Sequence, residues 1–251
     1  MKNKILTSLM TLFMLCPIYA KGQTNAQILE AAENELMGLG CMAYQNTAGP
    51  GADAACRADC FRDEFGRDSD GWPRVYKGPQ NRSANAIWWV GDSRTVGMYN
   101  NGIIAGENEA VLAKTAMGHD WLNGTALPKL RTCLCDGDTV ILALGANDIW
   151  RHGTYIDTYQ SLIGEKAGVT FWIVSVNPVS DGKTRYLKNS DIDTFNNRML
   201  NAFADKYIDT YSVVASLIRD DCTDREGLHY EPSCGIEQKV YDTVMNKVNG
   251  S

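Results

Sequence analysis

Three unbroken apolar runs mark the later part of the chain, each closed by a turn residue. They are Ile87-Trp88-Trp89-Val90 before Gly91, Thr139-Val140-Ile141-Leu142-Ala143-Leu144 before Gly145, and Thr170-Phe171-Trp172-Ile173-Val174-Ser175-Val176 before Asn177-Pro178. Runs that do not alternate with polar residues predict strands covered on both faces, as in a parallel sheet. Ala110 to Ala116 and Tyr207 to Thr210 are shorter candidates of the same kind. Between these runs the apolar spacing becomes helical, with Ile156, Tyr159, Leu162 and Ile163, then Ile192, Phe195, Met199, Leu200 and Phe203, and finally Ile236, Val240, Val244 and Val248. Strand and helix alternating in this way predict a three-layer α/β domain over residues 86–251. Ligands of such domains gather beyond the carboxyl ends of the strands, here at Gly91, Gly145 and Asn177.

The first third has a different texture. Lys2 and Lys4 precede an apolar run from Ile5 to Leu15, and Ala20 offers a small residue for cleavage, so residues 1–20 are expected to be a signal peptide and the protein to be exported, to the periplasm or beyond. That run is shorter than the roughly 20 apolar residues of a membrane span, and stable membrane insertion is not expected. Ile28, Leu29, Ala32, Leu36 and Met37 predict a short amphipathic helix over residues 25–37, stopped by Gly38-Leu39-Gly40. Residues 41–82 are rich in Gly, Pro, Asp and Arg and hold no apolar period. The expected organisation is therefore a helix and a disulfide-stapled, loop-rich extension over residues 21–85, followed by the α/β domain.

Composition narrows the chemistry. The chain has 24 basic and 30 acidic residues, and loss of Lys2 and Lys4 with the leader makes the balance more acidic still. No Lys/Arg run offsets this, so nucleic acid and anionic membrane surfaces are poor partners. Cys16 would leave with the leader, and Cys41, Cys56, Cys60, Cys133, Cys135, Cys222 and Cys234 would remain. Behind an export signal they favour disulfides over a zinc site, and no metal is expected. Cys222 and Cys234 bracket Glu226 and His229 and are expected to bridge, whereas Cys133 and Cys135 are too close for an easy mutual bond.

Ser93, in Gly91-Asp92-Ser93-Arg94, lies where the first clear strand turns into a helix. A hydroxyl there projects above the sheet beside the unpaired N–H groups of a helix start, which suits a nucleophile, although serine at such a place is often only a cap. A nucleophilic serine needs a base. His229 stands in Glu226-Gly227-Leu228-His229, and either Glu226 or Asp224 could orient its ring. Asn147, after the Thr139 strand, offers an uncharged amide to a developing oxyanion, and Gly118 offers a backbone N–H.

Taken in order, Gly91-Asp92-Ser93, Gly118, Gly145-x-Asn147-Asp148 and Gly227-Leu228-His229 resemble the four blocks of the SGNH, or GDSL-like, hydrolases, over about residues 86 to 250. The resemblance implies a flavodoxin-like fold, ester hydrolysis and no cofactor. It implies Ser93 as nucleophile, His229 as base and then acid, and an oxyanion hole of Gly118, Asn147 and the Ser93 N–H. One departure stands out: the family normally has Asp where Glu226 stands. No Gly-x-Ser-x-Gly is centred on Ser93, unlike the ordinary α/β-hydrolase elbow. Trp121, Trp150 and Tyr230 adjoin the catalytic blocks and offer faces for a sugar ring, with core packing as their ordinary alternative. The expected activity is removal of small acyl groups, acetyl foremost, from a cell-wall or extracellular carbohydrate. A lipolytic or thioesterase-type enzyme and a non-catalytic binding protein on the same scaffold are the alternatives.

Overall fold

The computed structural model describes residues 63–80 and 85–250. The expected signal peptide, the helix over residues 25–37, and Cys41, Cys56 and Cys60 lie outside the described residues. Strands β1 (Glu64–Arg67), β2 (Pro73–Lys77), β3 (Ile87–Gly91), β4 (Glu109–Lys114), β5 (Thr139–Ala143), β6 (Thr170–Val174) and β7 (Tyr207–Ile208) form one seven-stranded sheet in the order β1-β2-β4-β3-β5-β6-β7. The principal helices are α1 (Ser93–Asn100), α2 (Leu127–Cys133), α3 (His152–Glu165), α4 (Asn189–Phe203), α5 (Tyr211–Ala215) and α6 (Ile236–Asn249). Among the described residues no helix is long and apolar enough to cross a membrane.

Neighbouring residues of each central strand serve opposite cores. Trp88, Val90, Leu112, Leu142, Phe171 and Ile173 pack with Tyr155 and Tyr159 of α3 and Phe195 of α4. Trp89, Val111, Ile141, Trp172 and Val174 pack on the other face with Val96 and Met98 of α1 and Val240 and Val244 of α6. Continuous apolar runs are the sequence form of a sheet with helices on both sides. Each indole of the Trp88-Trp89 pair also finds a buried carboxylate. Trp88 Nε1 donates to Asp138 Oδ2 at 3.2 Å and Trp89 Nε1 to Glu109 Oε1 at 3.0 Å. Truncating either ring to Ala would cost about 3–5 kcal/mol.

Strands β3 to β7 run parallel, and by chain order they lie second, first, third, fourth, fifth across the sheet. This is the flavodoxin-like order, whose switch point falls between β3 and β5. The loops leaving those two strands carry Ser93 and Asn147.

The segment over residues 41–82, expected to be loop, holds the β1–β2 hairpin, which pairs antiparallel with β4. Its turn is built on Asp68, whose Oδ1 accepts from the N–H groups of Asp70 and Trp72 at 3.0 and 2.9 Å and whose carboxylate pairs with Lys114 of β4. Strands of four and five residues, one of them largely exposed, leave no readable alternation. A boundary at residue 86 therefore cuts through the sheet, and every described residue lies in one compact unit, Gly49–Ser251.

Candidate active site

The β3–α1 turn is fixed by Asp92. Its carboxylate accepts the Arg94 N–H at 3.0 Å and so caps α1, a role that Ser93 then does not have to fill. Ser93 is the first helical residue, and its Oγ lies 2.8 Å from Nε2 of His229. Asp92 is buried; desolvation raises its pKa, with the nearby Arg94 guanidinium opposing.

His229 arrives on a hairpin. Thr223 and Tyr230 pair as an antiparallel bridge, and the Asp224 N–H donates to the His229 carbonyl at 2.9 Å. The chain turns between them through Gly227, whose φ of 73° is left-handed backbone that glycine adopts without steric cost. Asp224 and His229 thus face each other, and Asp224 Oδ2 lies 2.8 Å from Nδ1 while Oδ1 accepts the Leu228 N–H at 2.9 Å. Partial burial opposes ionisation of Asp224, but the hydrogen bonds from His229 and Leu228 outweigh it and hold its pKa below the usual 3.8. With Asp224 ionised, Nδ1 carries the ring proton and Nε2 is free to accept from Ser93. Of the two acids that the sequence offers, Asp224 is the one that meets the ring; Glu226 lies exposed at the tip of the turn, two residues beyond Asp224.

Three supports hold this hairpin. Arg94 donates to the Leu228 carbonyl from Nε and Nη2 at 3.2 and 3.1 Å and to the Asn177 carbonyl from Nη1 at 2.9 Å. Lys183 donates from Nζ to Thr223 Oγ1 at 3.0 Å and to the Thr223 and Asp224 carbonyls at 3.1 and 3.3 Å. The Cys222–Cys234 disulfide closes the far side. Arg94 could have been suspected from its place beside Ser93; nothing local marks Lys183, which reaches the hairpin from about 40 residues away in the chain.

Asn147, exposed on the loop after β5, donates from Nδ2 to the Met117 carbonyl at 2.9 Å, with a longer contact of 3.5 Å to Asp92 Oδ2. The amide thus links the loops of three of the four blocks. The peptide between Met117 and Gly118 is trans, so the Gly118 N–H points away from the carbonyl that Asn147 engages. The candidate donors for an oxyanion are the Ser93 N–H, unpaired within its helix, the Gly118 N–H and the Asn147 amide. Gly118 also meets a steric requirement: a Cβ there would lie 2.3 Å from Asp148 Oδ2.

The aromatic residues divide. Trp121 is in the core with Nε1 donating to the Tyr76 hydroxyl at 3.2 Å, and Tyr230 is buried, its hydroxyl donating to the Pro178 carbonyl at 2.6 Å beneath the Arg94 guanidinium. Both corrections have one cause: each polar tip finds a partner inside, so the ring is buried whole. Trp150 alone of the three is exposed, at 71%. Among the described residues no group of three or more His, Cys, Asp or Glu side chains could hold a metal ion.

The fold is that of the SGNH, or GDSL-like, hydrolases. A Bacteroides fragilis protein described as an acylhydrolase superposes with a TM-score of 0.55 at 11% identity, covering 78% of this chain and 94% of its own. A GDSL-like lipase from Bacteroides thetaiotaomicron gives 0.54 at 10% identity, over 66% and 88% of the two chains. The catalytic domain of peptidoglycan O-acetyltransferase A from Streptococcus pneumoniae gives 0.52 at 17% identity, over 66% and 94%. At these identities the likeness is one of architecture. No family model matches the sequence, and no curated protein is similar to it.

Proposed function

We propose that the chain is an exported serine esterase that removes small acyl groups, O-acetyl foremost, from a cell-wall or extracellular carbohydrate. The observation that carries this reading is the line from Ser93 Oγ through His229 to Asp224, with both hydrogen-bond distances at 2.8 Å. In the proposed reaction Nε2 takes the hydroxyl proton as Oγ attacks the ester carbonyl, and the imidazolium then returns it to the leaving sugar oxygen. Asp224 stays ionised throughout and stabilises the imidazolium. The Ser93 N–H, the Gly118 N–H and the Asn147 amide face the negative charge that develops on the carbonyl oxygen. Water, activated by the same histidine, releases the acyl group from Ser93.

Support for a carbohydrate comes from Trp150, an exposed ring three residues beyond Asn147. The leader-like residues 1–20 support export, and the acidic balance of the chain disfavours polyphosphate partners. The deciding experiment is turnover of p-nitrophenyl acetate by the mature chain beside Ser93→Ala. Loss of turnover in the variant supports the reading, and equal turnover overturns it in favour of a binding protein. Across an acyl series kcat/KM should fall steeply beyond butyryl; a preference for eight carbons or more would remove the small-acyl assignment.

A further inference from the structure

Asn147 and Asp148 are consecutive, yet they grip opposite sides of Gly118. Asn147 Nδ2 donates to the Met117 carbonyl at 2.9 Å, on the near side, while Asp148 Oδ2 accepts the His119 N–H at 2.7 Å, on the far side. The other oxygen of Asp148 accepts the hydroxyl of Tyr155 at 2.7 Å, and both residues are buried. Gly118 lies against this carboxylate so closely that no Cβ would fit. Just before the gripped residues, Ala116 has a φ of 60°, the single non-glycine residue in left-handed backbone among those described. Such a conformation persists only where the surroundings fix it, and this observed outlier stands two residues before Gly118.

We propose that Asp148 is a positioning residue that aims the Asn147 amide through the Met117–Gly118–His119 backbone. Pinning the His119 N–H sets the course of this segment and with it the place of the Met117 carbonyl, which holds one N–H of Asn147 and so directs the other. The proposal rests on the esterase reading for its catalytic consequence, but the coupling itself is a property of the structure. Asp148→Ala would leave the His119 N–H and the Tyr155 hydroxyl buried without an acceptor and release the segment. Asp148→Asn keeps an oxygen for His119 and turns an N–H toward the Tyr155 oxygen, so it should restore the grip.

The test is a cycle of Asn147→Ala, Asp148→Ala and the double variant, with Asp148→Asn as rescue, assayed on p-nitrophenyl acetate. Asp148→Ala should lower kcat by about 10–100-fold with KM nearly unchanged, because a donor that acts in the transition state has been misdirected. The double variant should be no slower than Asn147→Ala, and Asp148→Asn should recover most of the loss. Losses that multiply in the double variant, or an Asp148→Ala enzyme within about twofold of the parent, would overturn the proposal. The side-chain amide resonance of Asn147, assigned by its disappearance in Asn147→Ala, reads the coupling without turnover. It should move in Asp148→Ala and return in Asp148→Asn; a resonance that stays in place defeats the proposal whatever the activity. If it moves as expected while the parent protein hydrolyses no ester, the esterase reading falls and the positioning role stands.

Discussion

Asp224 and His229 lie opposite each other where their hairpin closes, so the pairing that joins their backbones also brings the carboxylate to Nδ1 of the ring. Hydrogen-bonding partners on the hairpin, rather than proximity in sequence, decide which acid serves the histidine.

Asp224→Asn should therefore lower kcat/KM on p-nitrophenyl acetate by about 10³–10⁴-fold, since the amide selects the wrong tautomer. Glu226→Gln should stay within about twofold, as befits an exposed charge in a turn. Initial rates on the two purified variants decide between the carboxylates, and a loss confined to Glu226→Gln would reverse the assignment.

Arg94 reaches two carbonyls on separate loops with three N–H groups, and it lies over the Tyr230 ring. A lysine has no planar fork and cannot reproduce this. Arg94→Lys should slow labelling of Ser93 by a fluorophosphonate about tenfold or more, through displacement of His229. Labelling at the parent rate would mean that the hairpin is held without the guanidinium.

Cys222 and Cys234 are 12 residues apart in sequence, and the loop they close contains both Asp224 and His229. Replacing both by serine should destabilise the protein by about 3 kcal/mol, seen as a lower urea midpoint. An unchanged midpoint would show that Arg94 and Lys183 suffice.

The buried Asp92 gives a pH signature. Its folded pKa is raised above 3.8, first by desolvation, so its contribution to stability is fully present below that pH and is lost as pH rises through the folded value. Asp92→Asn keeps a good helix cap and removes the titrating carboxyl. Its melting temperature should exceed the parent's at pH 7 and match it near pH 3; a gap that widens on acidification would give the opposite sign.

Much of this architecture is legible in the sequence because both faces of the sheet are buried: β3, β5 and β6 show as unbroken apolar runs, and the helices α3, α4 and α6 as clear stripes. Ser93, Asn147 and His229 stand out because each follows or precedes such an element. The hairpin β1–β2 does not, since short, half-exposed edge strands carry little apolar signal. Asp148, Lys183 and the burial of Trp121 and Tyr230 depend on partners distant in the chain, which spacing alone does not encode.

The small hairpin over residues 64–77 has a consequence for solubility. It occupies the flank of β4, whose six residues would otherwise present bare peptide groups to solvent. A protein trimmed to residue 86 would keep its serine, histidine and aspartate yet offer a sticky border to its own copies, which could zip together along it. At its opposite margin the sheet tapers to the two residues of β7, too brief to invite the same growth.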